Sequence, residues 1–440
     1  MSSTKRLFVL ALDGTPYSLL QRFLSEGTLP NFQKLVTQGN LRPLISVQPP
    51  LSSVAWASFM TGARPAEHGI SGFVERNPGT LEWFVPRADH LQRPTIFKRL
   101  SEAGKRIFVM NVPLTSPPQK INGIMISGFL NKDVLHATYP PMLGYFLKAR
   151  GYLIDADVEI AKKDLNAFWD ELNRVLEKRL EVMFHFLRQE KWDFFMTHIM
   201  ETDRLHHIFW KYFEEDQPPF AEKFRAIYRR IDRAIGILLS ELGDEWAIMM
   251  LSDHGFTRLR MEFHLNRWLV ENGYLYFEHV PPKSLQDLHP FTKAYSLYPG
   301  RIYINLKGRE KKGRVNPGME YDQVCDELSQ KLLAVRDPQG RAVVREVRRG
   351  YEVFGVPPEV PHPEFVDPLL LKTVPDLIVL PHKGYDIKGL LWHQKLFEQT
   401  VFNGTHTQDD AFLFYRGMKI DASPDSIDQI ASHILNFFEV

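Results

Sequence analysis

The chain has 440 residues, 44% of them apolar and 24% charged, which excludes disordered, collagenous and coiled-coil classes. Its 54 Lys+Arg offset 53 Asp+Glu to a formal net charge of +1, so no global field gathers nucleic acid polymer or an anionic membrane, and an anionic ligand must be held by a local site. The single cysteine, Cys325, closes no intrachain disulfide and supplies no thiolate cluster, which leaves histidines and carboxylates as the metal ligands to look for.

The first apolar run, Leu7–Leu12, is stopped by Asp13. It is shorter than the hydrophobic region of a secretory signal and reads as a strand. No segment approaches the roughly 18 uncharged apolar residues of a membrane span, and the expected location is cytoplasmic. Further short apolar runs follow at Ile107–Met110, Ile124–Ile126, Phe194–Met200, Ala247–Leu251 and Leu377–Leu380. Between them lie segments with helical spacing, Pro30–Gly39, Thr95–Gly104, Leu165–Gln189 and Phe220–Leu242, and Asp425–Phe438 closes the chain as a helix. Continuous apolar strands alternating with helices predict an α/β fold, a mostly parallel doubly wound sheet with helices on both faces.

From Phe256 to Val374 the texture changes to proline-rich stretches and charge runs such as Arg309-Glu-Lys-Lys, with an isolated helix at Tyr321–Leu332. Asp376–Leu380 then resumes the buried-strand pattern. The expected organisation is a catalytic domain of residues 1–255 and 375–440, with 256–374 inserted as a cap-like element that sets substrate specificity.

In open α/β sheets ligands bind beyond the carboxyl ends of the strands. Leu7–Leu12 runs into Asp13-Gly14, Phe194–Met200 into Glu201-Thr-Asp203 with His207 four residues on, and Ala247–Leu251 into Ser252-Asp-His-Gly255. An Asp after a strand is, taken singly, a turn or helix-capping residue. Three of them, two with a histidine nearby, suit a divalent metal of borderline hardness, with Zn²⁺, Mn²⁺ and Fe as the candidates. Asp203 and His207 share a helix face by their spacing, while His206 points elsewhere and is given a supporting or packing role. Ser52 and Ser53 open a stretch that reads as an amphipathic helix. Their hydroxyls sit where a helix is ordinarily capped, which is also where a phosphate binds well.

These residues resemble the alkaline phosphatase superfamily, specifically its type I phosphodiesterase/nucleotide pyrophosphatase branch. The resemblance is carried by Ala11-Leu-Asp-Gly14, Leu29-Pro-Asn-Phe32 with Gly39, the stretch from Ser52 through Trp56 to Thr61-Gly-Ala-Arg-Pro-Ala-Glu-His-Gly-Ile70, Glu201-Thr-Asp-Arg-Leu-His-His207, Ser252-Asp-His-Gly255 and Gly404-Thr-His406. It implies two divalent metal ions, Zn²⁺ first and Mn²⁺ or Fe as alternatives. One would lie on Asp203, His207 and His406, the other on Asp13, Ser52, Asp253 and His254. It further implies Ser52 as the nucleophile, with Ser53 as fallback, attacking phosphorus in line to give a phosphoserine. The expected partner is a small phosphorylated substrate, a nucleotide among the candidates.

Two positions depart from the family's pattern: the nucleophile is serine where those enzymes have threonine, and Phe73 stands where they have a phosphate-binding Asn. His68, His362, His382 and His393 match no ligand position and are given surface or packing roles. Arg64 and Arg204 lie near motif residues without an assigned place, and the inserted Tyr351 and Phe354 are weighed as base-stacking rings against core packing. A phosphomonoesterase or phosphoglycerate mutase-like phosphotransferase shares the scaffold and is the alternative function. A sulfatase would need a downstream Arg that Ser52-Ser-Val-Ala-Trp lacks, and a non-catalytic relative would have lost ligands that are all present here.

Overall fold

Every residue from Leu7 to Leu12 is buried because the strand Arg6–Leu12 is flanked on both sides, by Phe194–Ile199 and by Trp246–Leu251, and runs parallel to both. The computed structural model describes residues 5–129, 133–357, 360, 366–420 and 424–440; His362 lies outside them. The described chain forms two compact units, one of Met1–Ala63, Arg87–Thr257 and Val401–Val440, the other of Arg64–Pro86 and Arg258–Thr400.

The first unit is built on an eight-stranded sheet. From edge to edge it runs Asn40–Leu44, Ala411–Arg416, Trp246–Leu251, Arg6–Leu12, Phe194–Ile199, Ile107–Met110, Gly123–Ile126 and Thr138–Tyr139. The five middle strands from Trp246–Leu251 to Gly123–Ile126 are parallel, and antiparallel strands close both edges. The long helices Leu165–Gln189 and Phe220–Glu241 each bury one apolar stripe against it, through Phe168, Leu172, Val175 and Leu176 on one and Phe224, Ile227, Ile231 and Ile235 on the other. The α/β doubly wound architecture is the one predicted.

The helix Ser52–Thr61 departs from its expected amphipathic character. Every residue from Ser52 to Met60 is buried, so there is no polar face. Neither serine caps it: the N-cap position is Leu51, without a side-chain cap bond. The helix ends at Gly62, whose φ of 65° is the left-handed geometry glycine adopts at low cost.

The second unit has an antiparallel four-stranded sheet in the order Ala294–Leu297, Arg301–Ile304, Leu377–Pro381 and Val344–Arg349, with the helix Met319–Leu333 beside it. The expected return of Asp376–Leu380 to the main sheet is therefore corrected. Leu377 pairs with Ile302 and with Arg349, because a short apolar run fits the interior of either sheet and its pattern does not name its neighbours. A second, three-stranded sheet places Met261–His264 between Tyr385–Lys388 and Phe397–Glu398. Phe354 is fully buried among Ala66, Leu371 and Ile378, a packing role, with Tyr351 against the same cluster. Phe73 stacks on Tyr298 with centroids 6.2 Å apart.

Candidate active site

Three adjacent strands of the main sheet deliver the acidic residues. Asp13 follows Arg6–Leu12, Asp253 follows Trp246–Leu251, and Asp203 lies in the first turn of the helix Glu201–Glu214 that begins just beyond Phe194–Ile199. Because these strands are hydrogen-bonded neighbours running the same way, their carboxyl ends open at one place. His254 comes with Asp253, His207 stands one helical turn after Asp203, and His406 arrives on the strand Gly404–Thr407. Ser52 heads the helix Ser52–Thr61.

Ser52 Oγ donates to Asp13 Oδ1 at 3.2 Å and lies 3.4 Å from His254 Nε2. His254 Nε2 is also 3.6 Å from Asp13 Oδ1 and 3.3 Å from Asp253 Oδ2. On the other side, Asp203 Oδ1 faces His207 Nε2 at 3.4 Å and His406 Nε2 at 3.2 Å, and the two ring nitrogens are 3.0 Å apart. Asp13, Asp203 and His254 also lie together, joining the two groups. All seven sequence-predicted residues thus gather in the first unit. Arg64 belongs to the second unit.

Backbone carbonyls set the tautomers. His207 Nδ1 donates to Gly404 O at 3.0 Å, His406 Nδ1 to Pro50 O at 2.7 Å, and His254 Nδ1 to Gly255 O at 3.1 Å. A carbonyl only accepts, so each Nδ1 carries the hydrogen, and the ring nitrogen turned inward is Nε2. Burial pushes His254 down to about 3, helped by His406, and His207 down to about 4, so these two rings are neutral at pH 7. Burial opposes ionisation of Asp203, but His207, His406 and Arg204 outweigh it and hold its carboxyl well below the usual range. At Asp13 burial is likewise outweighed by His198, and that carboxylate is lowered too. Burial and the charge of Asp13 push Asp253 well above the usual carboxylate range.

Lone pairs and carboxylate oxygens turned to common points fit cations and little else. Asp203 Oδ1 and Asp253 Oδ2 are buried without an aligned hydrogen bond, although nitrogens lie close to both. The donor set of imidazole nitrogen and carboxylate oxygen suits Zn²⁺, Mn²⁺ or Fe. His206 is different: its Nδ1 donates to Gly14 O at 3.0 Å and its Nε2 takes the Tyr228 hydroxyl at 2.8 Å, so both nitrogens are used and it acts as the supporting residue expected.

Sequence reasoning missed two groups. His198 Nε2 lies 2.7 Å from Asp13 Oδ2, and Trp56 Nε1 donates to the same oxygen at 2.9 Å. The available signal was Thr197-His198 breaking an otherwise apolar strand, since a buried histidine in such a run needs a partner. Thr202 Oγ1 adds a 2.6 Å bond to the Asp13 carbonyl. Arg204 spans Asp203 and Asp155, with Nη1 on Asp203 Oδ2 at 2.8 Å and Nη2 on Asp155 Oδ2 at 2.7 Å.

Among solved structures the fold is similar to phosphonoacetate hydrolase from Sinorhizobium meliloti 1021 in complex with phosphonoformate, at TM-score 0.63 and 15% identity over 99% of this chain and 96% of that one. It is also similar to murine ectonucleotide pyrophosphatase/phosphodiesterase 5, an inactive form in complex with AMP, at TM-score 0.59 and 12% identity over 99% and 95% of the two chains. No curated protein matches the sequence. No helix among the described residues is long and apolar enough to cross a membrane. Residues 7–409 match the type I phosphodiesterase/nucleotide pyrophosphatase family, and a match across nearly the whole length establishes that the chain belongs to this family of phosphoester hydrolases.

Proposed function

We propose that the enzyme is a two-metal phosphodiesterase acting on small phosphorylated substrates, with Ser52 as nucleophile. The observation that carries this reading is the placement of Ser52 Oγ, 3.2 Å from Asp13 Oδ1 and 3.4 Å from His254 Nε2, at the head of a ten-residue helix. Asp13, Ser52, Asp253 and His254 would hold one divalent ion, and Asp203, His207 and His406 the other. Zn²⁺ is the first choice, Mn²⁺ and Fe the alternatives. When bound, such ions supply the positive charge that makes a serine hydroxyl acidic and offsets charge on phosphoryl and leaving oxygens.

The protein's own share is positioning. The amino end of the helix at Ser52 directs its dipole and first-turn N–H groups towards an incoming phosphoryl group. Ser52 Oγ forms the bond to phosphorus as the bond to the leaving oxygen breaks, and its proton lies within reach of Asp13 Oδ1. Water then hydrolyses the phosphoserine, restoring the hydroxyl. Carbonyl anchors on the three Nδ1 atoms fix the imidazoles throughout.

Arg204 is not available as a clamp for a monoester, and a diester is the reading we adopt. A monoester's extra charged oxygen calls for a cationic clamp, but the Arg204 guanidinium is already spent on Asp155 and Asp203. The ligands of the two similar structures, AMP and phosphonoformate, support a small phosphorylated substrate, and a nucleotide is the first class to try.

The test is turnover of bis-p-nitrophenyl phosphate beside p-nitrophenyl phosphate, with Zn²⁺ or Mn²⁺ and with chelator, in wild type, Ser52→Ala and Ser53→Ala. The proposal expects metal-dependent preference for the diester, none of it in Ser52→Ala and most of it in Ser53→Ala. Preference for the monoester would move the function to a phosphatase or phosphotransferase. A retained rate in Ser52→Ala would remove the nucleophile assignment.

A further inference from the structure

The second unit contains another ring-and-carboxylate cluster. His264 ends the strand Met261–His264, Glu398 lies on the neighbouring strand Phe397–Glu398, and His393 sits in the connection that leads into that strand. The pairing of Phe263 with Phe397 and the 2.9 Å bond from His264 N to Leu396 O hold the elements in register. The His264 and His393 rings stack face to face, centroids 3.6 Å apart and planes 7° from parallel. Glu398 Oε2 lies 3.2 Å from His393 Nε2 and 4.0 Å from His264 Nε2.

Two observations make this more than packing. His264 is 2% exposed, and neither ring nitrogen has a hydrogen-bond partner. A buried polar group left unpaired is destabilising, so a ring stacked on a second imidazole beside a carboxylate asks for a ligand. In addition, His393 Nδ1 lies 3.1 Å from Lys395 O and 3.2 Å from Lys395 N; donating to the carbonyl, it leaves the Nε2 lone pair directed at Glu398. The surrounding charges are already paired: Lys395 Nζ is on Glu398 Oε1 at 2.8 Å, and Lys388 Nζ is on Asp386 at 2.5 Å and Glu262 at 3.3 Å. Neither lysine supplies the missing contact to His264.

We propose that His264, His393 and Glu398 form a further divalent-metal site, of the zinc class, in the second unit. Two imidazoles and a carboxylate are a ligand set zinc accepts, with one coordination position left for water or an exogenous group. His393 and Glu398 side chains are about one-quarter exposed, at 24% and 23%, so an ion reaches the cluster from solvent. Bound there, it pins the connection carrying His393 to the strand that ends at His264.

The test counts metal on the full chain. Protein stripped with chelator is reloaded with Zn²⁺, washed and assayed for zinc, and in parallel titrated with Co²⁺ while its visible absorption is recorded. Wild type is expected to hold one equivalent more than His393→Ala or Glu398→Ala. The double variant Asp203→Asn/His207→Ala is expected to keep the Co²⁺ band that those two lose. Equal zinc content in wild type and in folded His393→Ala and Glu398→Ala, with no change in the Co²⁺ spectrum, overturns the site. Circular dichroism identifies folded variants, and two separate ligands are tested so that misfolding of one does not decide the result. Because the cluster shares no residue with the phosphoesterase site, either assignment can fail without the other.

Discussion

Trp56 Nε1 donates a 2.9 Å hydrogen bond to Asp13 Oδ2 from one turn beyond Ser52 on the same helix. His198 meets that oxygen from the neighbouring strand at 2.7 Å, so Oδ2 is fixed by two ring N–H groups while Oδ1 is turned to Ser52. The helix that carries Ser52 therefore also aims the carboxylate beside it. Trp56→Phe keeps an aromatic ring and removes the donor. Supporting bonds of this kind are worth about 10–100-fold in metal affinity or activity. That loss is expected in kcat/KM across a Zn²⁺ titration, while the folded fraction by circular dichroism stays near that of wild type.

Gly14 is the second sensitive point. Its φ is 63°, and a Cβ added there would sit 2.7 Å from Phe256 Cε2 and 3.0 Å from His254 Cε1. Gly14→Ala carries a left-handed backbone penalty of about 1–2 kcal/mol. The clash with His254 is a separate effect on geometry. The expected outcome is a lower Tm together with a fall in kcat that persists at temperatures where the variant is fully folded.

Glu201→Gln tests the support under Asp203. Arg179 Nε donates to Glu201 Oε1 at 2.8 Å with both side chains buried, and the same guanidinium holds Tyr152 OH at 2.7 Å and Ile154 O at 2.9 Å. Removing one partner of a buried pair leaves an uncompensated charge, at a cost of about 3–5 kcal/mol. Urea unfolding is expected to show that loss as a lower midpoint with unchanged slope.

Acid stability follows from the buried histidines. Burial pushes His68 and His206 down to about 3, against an unfolded value near 6.5. Below pH 6.5 the unfolded chain takes up protons that the folded chain refuses. The stability these rings contribute is thus present above pH 6.5 and is lost as pH falls towards 3. Each such ring adds a slope of about 1.4 kcal/mol per pH unit in that window. Tm measured from pH 7 to pH 4 in chelator is expected to fall steadily, and His68→Gln, if folded, to fall less steeply.

The strand ends were legible because a buried parallel strand announces itself as an apolar run, and the polar residue that stops it marks the sheet's carboxyl edge. Asp13, Asp203 and Asp253 were found that way. His406 was not, since Gly404–Thr407 is a short strand outside the main sheet, and only the ordered motifs singled it out. His198 was invisible for the opposite reason: it is inside a strand, and its role depends on the register that sets Ala11 beside it. Leu377–Leu380 was assigned to the wrong sheet because partner choice is a long-range property that a run of apolar residues does not encode. The capping roles weighed for Ser52 and Ser53 gave way to Leu51 at the N-cap position, and Ser52 turned its hydroxyl to Asp13.

The strand Arg6–Leu12 acquires its neighbours from Phe194–Ile199 and Trp246–Leu251, and His406 reaches the same edge from a strand much later in the sequence. A nascent polypeptide emerging from the ribosome holds Asp13 and Ser52 long before the residues they face exist. Loop closures of this length are slow, and until they occur Asp13 lacks the partners it has in the fold. Assembly of the proposed metal centre is therefore a late event in folding, since it waits for Gly404–Thr407 to meet the end of Arg6–Leu12.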